Sequence, residues 1–304
     1  MNPAELKKKF NKANIKEAAL GYLFILPAMA LLFVFVFYSI VRGFFLSFTD
    51  LDYLKSWQGD FIGLNNYISF FQDPQSVQVL INVLIFVVCV TVFTVLLGLA
   101  IAVLINKVKH GKNVLRSLLF LPWVLPEVVV GSTWRWIFDG EKGILNSILV
   151  DQLHVASIYI QWLGEGLALT SAIMVYIWRT YPFVTIMISA GLQTIDKELY
   201  EAAFIDGAGK VKTFFYITLP QLKFVLSICI LITIIWTNNG FGILNILTGG
   251  GPMLASTNLP ILIYQTAFVN MRMGYASAIS VIQFLFVFIF GVIYMKTTAT
   301  MQEV

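Results

Sequence analysis

Charge is what this sequence has least of. Only 12% of its 304 residues are Asp, Glu, Lys or Arg, about half the roughly 25% that a soluble chain carries. Hydrophobic residues make up 59% and mean hydropathy is +0.83. Such a chain cannot cover its surface with polar groups, so its solvent is lipid. Cysteine is nearly absent: Cys89 and Cys229 each lie deep in an apolar run without a CxxC partner. That removes a disulfide framework and a thiolate metal site, and both cysteines read as small core-filling residues. The two histidines, His110 and His154, lie far apart, which removes a zinc centre. No metal ligands are assigned. There is no HExxH, no Ser/His/Asp arrangement and no glycine-rich phosphate cradle after a strand. GAGK at 207–210 imitates a P-loop, but G-x4-GK-[ST] needs Gly where Phe204 stands and Ser or Thr where Val211 stands. The chain therefore carries no catalytic residues, is not an enzyme and binds no cofactor of its own. The +4 net charge follows the membrane pattern below and points to no nucleic acid.

What is present is a series of apolar runs near the roughly 20 residues that a helix needs to cross about 30 Å of hydrocarbon. Backbone groups must be satisfied inside lipid, and no ten-residue strand alternation appears, so the spans are helices. The expected architecture is all-α, a polytopic bundle of six spans at about 18–41, 80–105, 117–137, 167–190, 223–246 and 275–295. The third is interrupted by Pro122, Pro126 and Glu127. TGGGP at 248–252 divides an uncharged stretch too long for one crossing. The first run continues without a small-residue cleavage site, so it reads as a retained anchor rather than a leader. No outer loop is long enough to be an independent domain.

The cations sort by side. Lys7, Lys8, Lys9, Lys12 and Lys16 lie in the tail 1–17; Lys107, Lys109, Lys112 and Arg116 follow span two; Lys197, Lys210, Lys212 and Lys223 follow span four; Lys296 closes span six, before the tail 297–304. The others are Arg42, Lys55, Arg135, Lys142, Arg179 and Arg272. The positive-inside rule then puts both termini, and the segment 196–220, in the cytoplasm.

EAAFIDGAGKVKTFFYITLP, 201–220, is too charged to span and too rich in Ala and Phe for an ordinary solvated loop. Asp196 can cap a helix whose first turns hold Glu198 and Glu201, where acids suit the dipole. Leu199, Ala202, Ala203 and Asp206 keep near one face. Gly207 and Gly209 break the helix, a second runs over about 210–218, and Pro220 leads into span five. Two readings fit this amphipathic hairpin: docking of a partner protein, or a helix lying on the headgroups. It begins acidic and alanine-rich, where a headgroup helix is usually basic and bulky.

Glu201, Ala202, Ala203, Gly207, Ile217, Leu219 and Pro220 match EAA-x3-G-x9-I-x-LP at every specified position. The chain thereby resembles the membrane permease subunits of binding-protein-dependent ABC importers. LPWVLPEVVVGSTWRWIF at 121–138, GLQTIDKELYEAAFIDGA at 191–208, TGGGP, MGYASAIS at 273–280, FIGLNNY at 61–67 and LSFTD at 46–50 are similar to the sugar branch of that family, of the maltose and glycerol-3-phosphate permease kind. The resemblance covers about 20–295. It implies a type I importer permease in a prokaryotic inner or plasma membrane, moving a sugar, oligosaccharide, polyol or sugar phosphate by alternating access. It further implies a second homologous permease, two ATP-binding subunits that hold the ATP and Mg, and an extracytoplasmic solute-binding protein. In this reading 196–220 is the coupling segment, with Asp206 beside the motif residues, and the 249–272 loop lies outside near the binding protein. The rival class is a self-sufficient ion-coupled secondary transporter. It would need paired acids at mid-membrane and a duplicated half; only Glu127 is a clear acid within a span, and no duplicated half is evident.

Ionisable groups inside spans are costly and mark function or packing. Glu127 and Arg179 can pair with each other or with a neighbouring subunit, or can touch solute. Trp236, Asn238, Asn239 and Asn245 combine an aromatic face with amides that donate and accept, which suits sugar hydroxyls. They can equally serve hydrogen bonds between helices. Tyr176 and Gln283 are further candidates for the solute pathway.

Overall fold

A computed structural model describes residues 20–108 and 110–302, with side chains to 296. The tail 1–17 with its lysines, the first two residues of span one, Lys109 and the last two residues of the chain lie outside the described residues. Among the described residues there is no strand; Thr49 and Phe61 form an isolated antiparallel bridge. Four helices are long and apolar enough to cross a membrane, and two bent pairs bring the candidate spans to six.

The first helix, α1 (Leu20–Leu46), has none of its apolar window buried. A short α2 (Asn65–Gln72) precedes α3 (Pro74–Asn106). Asp73 caps α3 by accepting from the Gln75 and Ser76 N–H groups, with Pro74 at the first position, where its missing N–H is harmless. The Ser76 hydroxyl, above all, holds the Asp73 carboxyl below the usual carboxylate range. α3 is apolar all round. It buries a stripe at three- and four-residue steps, Val79, Val83, Phe86, Val90, Thr94, Gly98, Ala102 and Ile105, and leaves Leu84, Val88, Val92 and Leu96 exposed.

The stripe faces α6 (Ala168–Thr194), its principal neighbour, and α9 (Lys223–Asn238). Gly98 makes the approach possible: a Cβ there would stand 2.7 Å from Val184 Cγ1 and 3.2 Å from the Thr185 nitrogen. Small residues at such crossings let two backbones close up where lipid offers no hydrophobic drive. At the Asn106 end of α3 this packing holds Ala102, Val184, Ile188, Leu192, Leu222 and Cys229.

Two of the expected single crossings are broken. The third is α4 (Lys112–Val124) and α5 (Glu127–Ile137), bent by 89°. Leu125 is extended (φ −63°, ψ 136°) because Pro126 follows it. Pro122 stays inside α4, so only one of the two prolines turns the chain. The fifth is α9, which ends at Asn238, followed after Asn239–Phe241 by α10 (Gly242–Leu247). The stretch 249–272, read from sequence as an outer loop, contains α11 (Leu259–Val269). Asn258 caps α11 and accepts from Ile261 N–H, and Leu259 and Ile261 are fully buried. α11 packs on α12 (Met273–Gln302) and on α3. The last helix runs past the expected limit at 295. Between α6 and α9 lies a hairpin of α7 (Lys197–Ile205) and α8 (Lys210–Gln221).

The Gly98 contact yields a test. Gly98→Leu should lose about 1–3 kcal/mol to overpacking, read as a lower thermal midpoint in detergent. Gly43→Leu, at a site with nothing within 4 Å of the added Cβ, should leave the midpoint unmoved. Equal midpoints for the two variants would refute the close α3–α6 approach.

Candidate functional site: an exposed hairpin and an intramembrane polar cluster

The hairpin is built by caps at both ends of α7. Asp196 accepts from the Glu198 N–H at 3.1 Å. At the other end Gly207 takes φ +75°, Ala208 N–H donates to Ala203 O and Gly207 N–H to Phe204 O. This is a Schellman closure, which needs a residue at ease in the left-handed region. Tyr200 and Thr218 hydroxyls meet at 3.2 Å and tie the two legs.

The motif residues divide by burial. Ala203 is buried and Ile217 and Leu219 are half-buried, so they seat the hairpin on the bundle. Glu201, Ala202, Asp206, Gly207 and Pro220 are exposed. Phe204 and Ile205 are each 83% exposed, more than almost any other large apolar side chain in the chain. A Cβ at Gly207 would meet nothing within 4 Å. None of the hairpin acids is in an ion pair among the described residues. The hairpin thus presents a small, acidic and apolar surface on a rigid mount.

The second site forms where the broken helices meet. Glu127, the first residue of α5, pairs with Arg179 of α6 at 3.2 Å. Its other carboxylate oxygen occupies the space that a side chain at Gly242 would need. A side chain at Gly240 would likewise strike the Tyr176 hydroxyl. Gly240 and Gly242 are therefore glycines because of what faces them. The backbone freed by the 239–241 break is answered by two amides: Asn258 donates to Gly240 O at 2.6 Å, and Gln283 donates to Asn238 O at 3.3 Å and to Asn239 Oδ1 at 3.1 Å.

Four buried polar atoms here have no hydrogen-bond partner among the described residues: Tyr176 Oη, Arg179 Nε, and both amide atoms of Asn238. Each costs about 1–3 kcal/mol if left so. Asn239 is exposed and Trp236 is 40% exposed. The ring of Trp236 packs edge-on against Phe183 at 4.8 Å, and Trp123 lies 5.7 Å from Phe183 and 6.3 Å from Trp236.

Glu127, Tyr176, Arg179, Asn238 and Asn239 thus come together around one break, with Trp236 on the α9 turn leading into it. Asn245 stands apart, exposed on α10 with no side-chain hydrogen bond to the cluster. Sequence reasoning missed Trp123, Phe183 and Asn258. Trp123 was signalled only by its place between two prolines, and Asn258 by the Asn-x-Pro start of α11.

Residues 94–296 match the family model described as binding-protein-dependent transport system inner membrane component. The chain is 34% identical over 290 residues to the trehalose/maltose transport system permease protein MalF of Thermococcus litoralis, covering 94% of this chain and 96% of that one. It is 32% identical over 287 residues to the sulfoquinovosyl glycerol transport system permease protein SmoG of Agrobacterium fabrum, covering 94% and 92%. Its fold is shared with a chain of a bacterial ABC transporter involved in import of the acidic polysaccharide alginate: TM-score 0.80, 20% identity, 96% and 98% covered. That likeness recurs, at TM-score 0.79 and 20% identity, in the alginate transporter solved with an alginate pentasaccharide-bound periplasmic protein, where 93% of this chain and 94% of that chain are covered.

The ion pair has a testable signature. A fully buried pair broken on one side costs about 3–5 kcal/mol. The Glu127 side chain keeps 45% exposure, so Arg179→Gln should cost less, about 1–2 kcal/mol. Glu127→Gln/Arg179→Gln should recover most of that loss in thermal unfolding. A double variant no more stable than the weaker single one would refute the pairing.

Proposed function

We propose a function from one premise: the chain belongs to the family of binding-protein-dependent transport system inner membrane components. It is a permease subunit of an ABC importer and a multi-pass protein of the inner membrane. It is a transport subunit, not an enzyme, and ATP hydrolysis belongs to a separate subunit of such importers. The reading as an ion-coupled secondary transporter is set aside by that membership.

The finer reading is ours. The solute is a sugar or a sugar derivative, and this chain lines its pathway together with a second homologous permease. Two relatives are named for trehalose/maltose and for sulfoquinovosyl glycerol. The observation that supports a solute site here is the cluster at the α9–α10 break: buried amide and phenol groups without partners, next to an exposed amide and a half-exposed indole. Amides serve sugar hydroxyls in both senses, and an indole covers the apolar sugar face. Tyr176, Asn238, Asn239 and Trp236 make those contacts, and Glu127 with Arg179 holds α5 against α6 beside them. An extracytoplasmic solute-binding protein delivers the solute from outside.

The importer has two ATP-binding subunits, which hold the ATP and Mg, and one of them docks on this chain's α7–α8 hairpin, whose contact residues are Glu201, Ala202, Asp206 and Gly207. Ala203, Ile217, Leu219 and Pro220 set its posture. ATP can shift the spans only through different binding to the inward- and outward-open states. A rigidly capped hairpin passes that difference on as a rigid-body movement.

Two measurements test this. Gly207→Asn can keep the left-handed turn and should preserve coupling, whereas Gly207→Trp should cut transport by about tenfold, equivalent to about 1.4 kcal/mol, while ATP hydrolysis continues. Normal uptake by Gly207→Trp would refute the docking assignment. Asn239→Ala removes one hydrogen bond, worth about 0.5–1.5 kcal/mol, and should weaken the apparent affinity for solute by about three- to tenfold with assembly intact. Unchanged uptake kinetics would take Asn239 out of the pathway.

A further inference from the structure

The hairpin has a second face. At about 100° per residue, Tyr200 and Phe204 share one side of α7, and Glu198, Ala202 and Ile205 lie roughly opposite. The acidic side turns away from the bundle. The Tyr200–Phe204 side closes over a cavity of about 620 Å³ between the hairpin and the inner ends of α3 and α6, within the roughly 300–1,000 Å³ of small-ligand sites. Its wall is mostly apolar: Val103 and Leu192 from the spans, Phe214 and Phe215 from α8. Its polar part includes the neutral Asn106, Tyr200, Thr213 and Thr218, and its charged part is cationic. Lys107, where α3 ends, and Lys210, where α8 begins, both line it. Neither is in an ion pair among the described residues. Lys112 stands behind them, donating to the cavity residue Asn106 at 2.9 Å.

We infer that this cavity holds an anionic phospholipid of the adjoining leaflet, its phosphate between Lys107 and Lys210 and its acyl chain along the Val103–Leu192–Phe214 wall. Two unpaired ammonium groups beside an apolar trough, at the level where two spans leave the bilayer, match a ligand that is charged at one end and apolar at the other. Basic pockets between helices on the cytoplasmic side are suited to such headgroups. The lipid then forms the floor under the face of α7 that points away from the ATP-binding subunit, so it stiffens the hairpin without competing for the docking face. The inference rests on the membrane placement that follows from family membership, and not on which subunit docks on the far side.

The test uses the assembled transporter with its partner subunits in nanodiscs of phosphatidylcholine, with and without phosphatidylglycerol. Each lipid is supplied in turn as an analogue with a photoreactive acyl chain, and peptides carrying Val103 or Phe214 are quantified. Phosphatidylglycerol should label them several-fold more than phosphatidylcholine. Lys107→Gln/Lys210→Gln should lower that labelling about tenfold or more, Lys107→Arg/Lys210→Arg should retain it, and added inorganic phosphate should not compete. Equal labelling by the two lipids, or labelling indifferent to the Gln pair, overturns the inference; competition by inorganic phosphate overturns it in favour of a free-anion site. Labelling seen only after the ATP-binding subunits are stripped away also overturns it, because that outcome means partner side chains fill the cavity. Wild-type complexes without an ATP-binding subunit would contradict the docking assignment, while the labelling ratio still decides the lipid.

Discussion

A helix can break inside a bilayer only where the protein itself supplies partners for the freed backbone groups. In this chain that constraint acts at 239–241. Asn258 answers Gly240 O and Gln283 answers Asn238 O, and the second break, at Leu125–Pro126, brings Glu127 against Gly242 and Arg179. Residues from α5, α6, α10, α11 and α12 are drawn to one point to meet it. The same gathering leaves amide and phenol groups of Asn238 and Tyr176 unanswered from within. The place where the fold satisfies its backbone is therefore also the place where we propose that it meets a polar solute.

The hairpin solves a different problem. On the proposed reading it has to be exposed to meet an ATP-binding subunit, yet rigid enough to pass on that subunit's movement. Rigidity comes from local devices: the Asp196 cap, the Schellman closure at Gly207, and the Tyr200–Thr218 contact. Attachment comes from Leu222, buried in one cluster with Ala102 of α3, Ile188 of α6 and Cys229 of α9, and from Tyr200, which packs against that cluster. The exposed residues, Ile205 above all, are left free of structural duty. A spaced motif such as EAA-x3-G-x9-I-x-LP is what results when buried, left-handed and exposed positions alternate in a short segment.

Much of this was legible in the sequence, and the reasons differ by element. The low charge and the apolar runs announce a helical membrane bundle because lipid admits few alternatives. The hairpin is legible because its caps are local: Asp196, Gly207 and Pro220 act within a few residues of where they stand. The breaks are less so. Pro122 and Pro126 carry the same local signal, yet only Pro126 turns the chain. The burial of α11 was missed because TGGGP reads as the start of an outer loop, while Leu259 is drawn inward by Val79 of α3 and Ile279 of α12, and Ile261 by a core that includes Phe86 of α3 and Ala172 of α6, all distant in sequence. Trp123 and Phe183 escaped for the same reason: their packing beside Trp236 joins α4, α6 and α9, which are distant in sequence.

The central claim is that this chain is one of two membrane subunits of an ATP-driven sugar importer, coupled through the 196–220 hairpin. The most direct measurement is purification of the tagged chain from native membranes, with its companions identified by mass spectrometry and ATPase activity followed on addition of candidate sugars with the binding protein. The account predicts recovery of a second permease and an ATP-binding subunit, with ATP hydrolysis stimulated by one sugar-loaded binding protein. A homogeneous single chain, with no ATPase and with uptake driven by an ion gradient, would contradict it.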